Sequence, residues 1–251
     1  MRLGALFGFL SARPHTSDLA EQARRYAGEG FDSLWMAQAV GRGFMIPDPF
    51  IGLATAANVT TDIELGTAVL QLPLYHETDL AHRIFSLTQV CGERLTLGLG
   101  AGSTETDFVA FERDYATRFK TFDASLTRLK TLLAGGKNER ADLTPWQTVA
   151  GGPPLLLGSW GAGVERAAAD FDGWIASAHY RTPDQVIAAL GRYRAAGGGR
   201  AIVSTIQLGG DHDLGWARAT LGRFAEAGFD DAVVLLRPGG PSPAEVRALV
   251  D

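Results

Sequence analysis

Histidine is the side chain whose charge changes nearest neutral pH, so the five histidines are the first candidates for proton transfer. His76 and His179 each follow a short apolar run, and His15 follows another. His82 sits inside a helical pattern and His212 near a helix start, positions that suit surface histidines with satisfied rings. No pair shows metal-ligand spacing such as H-x-x-x-H, so no metal site is expected. Two glycine clusters stand out beside them. In Leu157-Gly158-Ser159-Trp160-Gly161-Ala162-Gly163 an apolar run turns through glycines into a helical stretch. That arrangement points free N–H groups and a helix dipole at an anion, normally a phosphate, although glycines also simply permit a tight turn. No acid follows at the distance a dinucleotide fingerprint requires. Gly98-Leu99-Gly100-Ala101-Gly102-Ser103 is the second cluster, and it reads as a wall for a close-lying ligand rather than as internal crowding.

The elements that must position these residues come from hydrophobic period. Eight apolar runs of strand length occur at Leu3–Leu10, Ser33–Gln38, Ile63–Gln71, Arg94–Ala101, Pro154–Ser159, Gly173–Ser177, Ala201–Leu208 and Asp231–Leu236. They are apolar on both faces, as parallel strands under helices are. Between them lie amphipathic helices with proper punctuation. Ser17-Asp18 opens the first and Asp48-Pro49 the second; Thr182-Pro183 and the capping box Ser242-Pro243-Ala244-Glu245 open later ones. Leu80, Ile84, Leu87 and Cys91 stripe the third helix, and Phe119, Phe122, Leu126, Leu129 and Leu133 the fourth. Eight βα units in series predict an α/β fold, a single (β/α)8 TIM barrel occupying residues 1–251. Gly135–Gly152 interrupts the spacing as a polar loop.

Barrel chemistry sits at the carboxyl ends of the strands. That rule nominates Phe9, Ser11, Ala37, Gln38, Ala68 to Gln71, Gly100 to Ser103, Gly158 to Gly161, Ser177, His179, Gln207 and Arg237. The set holds almost no carboxylate and no lysine, so aldolase, enolase-type and glycosidase chemistry lack their residues. Small residues and tryptophan remain, which suit a flat aromatic ligand approached by backbone.

Composition narrows the partners. The 251 residues carry 23 Lys or Arg against 28 Asp or Glu, a formal charge of −5, and no basic run, which argues against nucleic acid. One cysteine, Cys91, cannot form an internal disulfide and suits a reducing compartment. No apolar stretch is long enough to span a membrane, and the first ten residues read as a buried strand rather than a signal peptide. A cytoplasmic protein is expected.

The wording of several segments is similar to the bacterial luciferase-like flavin-dependent oxidoreductases. The stretches GALFGFL, FDSLWMA, IELGTAVLQLPLYH, CGERLTLGLGAGSTETDF and PPLLLGSWGAGVERAAADFDGWIAS carry the resemblance, which runs to about Ser177. It implies a short variant of the luciferase-like barrel that binds FMN, or in one branch the deazaflavin coenzyme F420, with the ring in the carboxyl-end mouth. Ala68-Val69 matches a bond that is cis in many members and lies behind the ring. Gly100, Ala101, Gly102 and Ser103 would border the ring and ribityl chain, and Gly158, Ser159, Trp160 and Gly161 would hold the phosphate. The implied activity is monooxygenation of a small organic substrate, with His76, His179 and Gln38 as polar contacts and one of the two histidines delivering a proton. A separate flavin reductase and a homodimer are the implied partners. The alternatives are F420-dependent hydride transfer and a non-catalytic flavin-binding protein. One departure motivates the last: where many members end the second strand with an acid–His pair, this chain reads Trp35-Met36-Ala37-Gln38-Ala39. Another, Tyr180 in place of an expected lysine, sets aside the glucose-phosphate dehydrogenase branch.

Overall fold

The computed structural model describes residues 1–9 and 16–250, with the side chains of Thr16 and Ser17 left aside. Leu10, Ser11, His15 and the Ser17 cap therefore lie outside the described residues. The strands are β1 (Arg2–Leu6), β2 (Ser33–Met36), β3 (Glu64–Gln71), β4 (Leu95–Gly100), β5 (Leu155–Gly158), β6 (Gly173–Ser177), β7 (Arg200–Leu208) and β8 (Asp231–Leu236). Each pairs in parallel with the next, and β8 closes on β1. This is the (β/α)8 barrel that the eight apolar runs predict. Two of the strands stop well short of the ends of their runs, β1 at Leu6 and β2 at Met36, while β3, β4 and β5 lose one or two terminal residues.

Two layers of burial hold the barrel. Inside it, Leu6, Trp35, Leu156, Ile175, Ile202 and Val233 pack together. Trp35 is fully buried and donates its indole N–H to Ser33 Oγ at 2.8 Å. Its ring leaves no room for neighbouring side chains: a Cβ at Gly66 would collide with it. Outside, the strands' other faces bury a larger cluster against the helices. The helices are α1 (Thr16–Gly28), α2 (Pro49–Val59), α3 (Glu77–Cys91), α4 (Glu105–Ala110), α5 (Arg118–Gly135), α6 (Gly163–Asp170), α7 (Pro183–Ala195), α8 (Leu214–Ala227) and α9 (Pro243–Arg247). Asp48 accepts the N–H groups of Phe50 and Ile51 at the head of α2, and complete capping boxes open α7 and α9. Leu80, Ile84, Leu87 and Cys91 all face the core. Phe119 does not: it is 61% exposed in the first turn of α5, so the inward stripe of that helix begins at Phe122. The polar segment 135–152 folds back on α5, with Gly151 donating to Leu133 O at 2.9 Å and Val149 buried.

At the amino ends of the strands the barrel is plugged by charge. Arg200 bonds both Glu64 oxygens at 2.7 and 2.9 Å and reaches Asp231 at 2.9 and 3.0 Å. Arg2 joins Glu64 at 2.7 Å and Asp231 at 3.2 Å, and Thr96 donates to Glu64 at 2.7 Å. Burial alone would raise the Glu64 carboxyl, but the Arg200 hydrogen bonds and charge, with Thr96 and Arg2, hold it below the ordinary value. At the other end two strands bulge. One extra residue enters β3 between Thr67 and Leu70 against β4, and one enters β7 between Val203 and Ile206 against β8.

Candidate active site at the carboxyl-end mouth

Among the described residues two cavities bear on where the site lies. The larger, about 510 Å³, opens at the amino-end face among Arg2, Arg24, Asp32 and Asp62. Its side chains do not come from strand carboxyl ends, where barrel chemistry is assembled. The smaller, about 310 Å³, lies beside the mouth between Gln38, Pro47, Tyr75, His76 and Phe111. The mouth itself divides into two arcs of different character.

The β3–β5 arc is uncharged. The peptide bond between Ala68 and Val69, inside the β3 bulge, is cis. Ala68 and Val69 are half-buried, and with Ala37 and Leu235 they cap the inner core as an apolar floor. The glycines of β4 and β5 serve that floor. A Cβ at Gly100 would stand 2.8 Å from Val69 Cγ2, one at Gly158 would stand 2.6 Å from Val69 Cγ1, and one at Gly98 would strike Thr67 O and Ile175. Internal crowding against Val69 thus accounts for the missing side chains at Gly100 and Gly158. Beyond the strand end Gly102 has φ +84°, and its missing Cβ lies 2.6 Å from Gln71 Oε1. Ala101 and Gly102 are half-buried and Ser103 is exposed.

After β5 the chain turns through Ser159, Trp160 and Gly161 into α6. Among the described residues the amides of Trp160, Gly161 and Ala162 make no backbone hydrogen bond, whereas those of Gly163 and Val164 bond back to Trp160 O and Gly161 O. Ser159 Oγ is committed to Gly163 O at 2.7 Å. The Arg181 guanidinium stands 4.4 Å over the Trp160 ring, which places a positive charge beside the turn. A phosphate fits the donors and charge gathered here, and a flat ring fits the apolar floor beside it.

The β6–β8 arc is polar. His179 follows β6, Gln207 is next to last in β7 and Arg237 follows β8. Arg237 donates to Gln207 Oε1 at 3.4 Å, so the Gln207 amide turns its nitrogen toward His179 Nδ1, with which it makes a short hydrogen bond. Because that nitrogen is a donor, Nδ1 accepts, and the neutral imidazole carries its proton on Nε2. Partial burial, with Arg42 and Arg237 nearby, pushes the His179 pKa below its ordinary value. Gln207 is held from behind by His212, whose Nδ1 lies 3.0 Å from Gln207 O and whose ring stacks on Trp216. The β7 bulge precedes it, with Thr205 in the left-handed region at φ 59°.

His76 is placed elsewhere. It caps α3, its Nδ1 accepting the Thr78 N–H at 3.2 Å, and its ring lines the side cavity. The sequence-nominated residues therefore do not all converge: His179 belongs to the polar arc, while Gln38 belongs to a separate network. Gln38 donates to Tyr75 Oη at 2.9 Å and accepts the Gln71 N–H at 2.8 Å. Gln71 in turn donates to Asp107 Oδ2 at 2.6 Å, and its buried Oε1 has no hydrogen-bond partner among the described residues. Asp107 is fully buried and accepts from Arg42 Nε at 2.8 Å and Nη2 at 2.5 Å. The strand-end rule cannot find Asp107 or Arg42, since one lies on the short α4 and the other in the β2–α2 connection. An Arg in one connection and an Asp on a separate short helix leave no spacing signal. Among the described residues no three His, Cys, Asp or Glu side chains gather around a metal position, and no helix is long and apolar enough to cross a membrane.

Comparison with known proteins matches this geometry to relatives. The 4-hydroxyprotoasukamycin monooxygenase of Streptomyces nodosus subsp. asukaensis is 36% identical over 107 residues, covering 42% of this chain and 29% of that protein. The FMN complex of the oxygenating constituent of 3,6-diketocamphane monooxygenase from Pseudomonas putida superposes with TM-score 0.69 at 18% identity, over 92% of this chain and 80% of its own. An F420-dependent secondary alcohol dehydrogenase bound to an F420-acetone adduct superposes with TM-score 0.76 at 15% identity, over 99% of this chain and 96% of its own. At such identities the two structures share the fold. The family described as luciferase-like monooxygenase matches residues 3–209, most of the barrel, and this chain belongs to it.

Proposed function

We propose that the chain is a flavin-dependent oxidoreductase of monooxygenase type that binds FMN in the carboxyl-end mouth and acts on a small organic substrate. The observation that carries this reading is the pairing, on one arc, of an apolar floor at Ala68-Val69 with a turn whose Trp160, Gly161 and Ala162 amides face no backbone acceptor. The flavin, when bound, supplies the redox chemistry. The residues supply position and protons. Ala37, Ala68, Val69 and Leu235 give the ring a dry floor, Gly100 to Ser103 border its side, and Gly158 to Gly161 with Arg181 hold the phosphate. Gln71 Oε1, buried and unpaired, offers an acceptor at the inner edge. His179 presents its Nε2–H as the proton donor, while Gln38, fixed between Tyr75 and Gln71, orients the β3 end. His76, as a helix cap, acts at most on what enters through the side cavity. A separate reductase would deliver reduced flavin, and a cytoplasmic homodimer completes the reading.

The test is a titration of the purified chain with FMN and with F420, followed by difference absorbance and by mass spectrometry of any chromophore that co-purifies. FMN binding at least about tenfold tighter than F420 supports the proposal. The reverse preference assigns the deazaflavin reading, and absence of both sinks it. A non-catalytic flavin carrier is the second reading, favoured by one observation: the β2 end holds only the uncharged, fully engaged Gln38. Turnover of reduced flavin with an aldehyde, sulfonate or ketone panel eliminates that reading.

A further inference from the structure

The β6–β8 arc has a charge balance that the cofactor does not use. Of the two arginines near His179, Arg42 is neutralised by its two bonds to buried Asp107. Arg237 has no such partner. Among the described residues no carboxylate lies within ion-pair distance of it, and its one side-chain hydrogen bond goes to the neutral Gln207 amide. Among the described residues Arg181 also lacks an ion-pair partner, and its guanidinium lies over the Trp160 ring beside the turn after β5. Around Arg237 the arc offers donors. The His179 ring nitrogen not bonded to Gln207 points its proton away from that bond, and among the described residues Ser177 Oγ, which accepts the His179 N–H at 3.3 Å, has no acceptor of its own. No carboxylate belongs to this set, so a cation gains nothing there, while an anion meets one full positive charge and two neutral donors.

We infer that the Arg237–Gln207–His179 arc is a receptor for a carboxylate on the substrate. The guanidinium fork matches the two oxygens of a carboxylate. One uncompensated charge suits a monoanion, where a phosphate dianion would find only half its charge answered. The assignment to substrate rests on the cofactor reading above, which places the flavin on the opposite β3–β5 arc. The bulge at Thr205 and the His212 brace on Gln207 hold the receptor on rigid strand ends.

Calorimetric titration of the purified chain with benzoate, benzamide and inorganic phosphate tests the receptor, with FMN and F420 affinities measured in parallel. Benzoate is expected to bind in about the millimolar range or tighter, and at least about tenfold better than benzamide or phosphate. Arg237→Gln should remove that preference, Arg237→Lys should restore part of it, and Arg140→Gln, in the exposed loop after α5, should leave it intact. Arg237 is exposed, so these variants fold. Equal binding of benzoate and benzamide, tighter binding of phosphate, or an unchanged Arg237→Gln overturns the inference. Benzoate selectivity that depends on Arg237 in a chain that binds neither flavin supports the receptor and defeats the cofactor reading. Flavin binding without benzoate selectivity does the opposite.

Discussion

At the scale of single residues, the chemistry of His179 is set by its neighbours rather than by its own strand. Its ring is partly buried and faces two arginines, so its protonated form is disfavoured. In an NMR pH titration the His179 ring should titrate below the ordinary histidine value, and Arg237→Gln should move it upward, since a positive neighbour is removed. A midpoint that does not respond would separate Arg237 from the ring. Cys91 gives a contrasting expectation. Burial pushes its thiol up to about 11, only partly offset by Arg94, so it should stay unmodified by a thiol reagent in the native protein and react on unfolding. Both residues are legible in the sequence: a histidine after an apolar run and a cysteine on a helical stripe have positional meaning. Asp107 is not, because its importance lies in which loop Arg42 reaches, a tertiary fact without local pattern.

At the scale of elements, the glycines of β4 and β5 make sense as the complement of one side chain. Gly100→Ala should destabilise by about 1–3 kcal/mol through overlap with Val69, and adding Val69→Ala should recover much of the loss in a double-mutant cycle measured by denaturant unfolding. Strict additivity would show that the crowding is not shared. The α4 helix plays a comparable part for the connection after β2. Asp107→Ala would leave Arg42 and Gln71 Nε2 without their acceptor, an expected loss of about 2–3 kcal/mol, with faster amide exchange at Val40, whose N–H also bonds Asp107. The eight strands were readable because both faces of each are apolar. The six-residue α4 is too short for a helical period to emerge, and Phe119 fits a stripe that the first turn of α5 never brings to the core.

At the scale of the whole molecule, the charged plug ties four strand beginnings together. Asp231, 1% exposed at its side chain, bridges Arg200 and Arg2, and Asp231→Ala should lower unfolding stability by about 3–5 kcal/mol. Glu64 gives the plug a pH signature. Its folded-state carboxyl is held below its unfolded value, so its contribution is present above the unfolded value and is lost as pH falls through the folded one. Glu64→Gln should flatten that acid limb of the Tm curve. The two bulges then acquire a mechanical meaning. They shift the register at the β3–β4 and β7–β8 seams, which lie between the two runs of four strands β8-β1-β2-β3 and β4-β5-β6-β7, and pairing resumes beyond each at Leu70–Leu99 and Ile206–Val234. The same two seams are stitched at the opposite end, by Thr96 on Glu64 and by Arg200 on Asp231. Each of these seams is thus fastened twice, by charge at the base and by a resumed ladder at the rim, like a strap riveted at both ends.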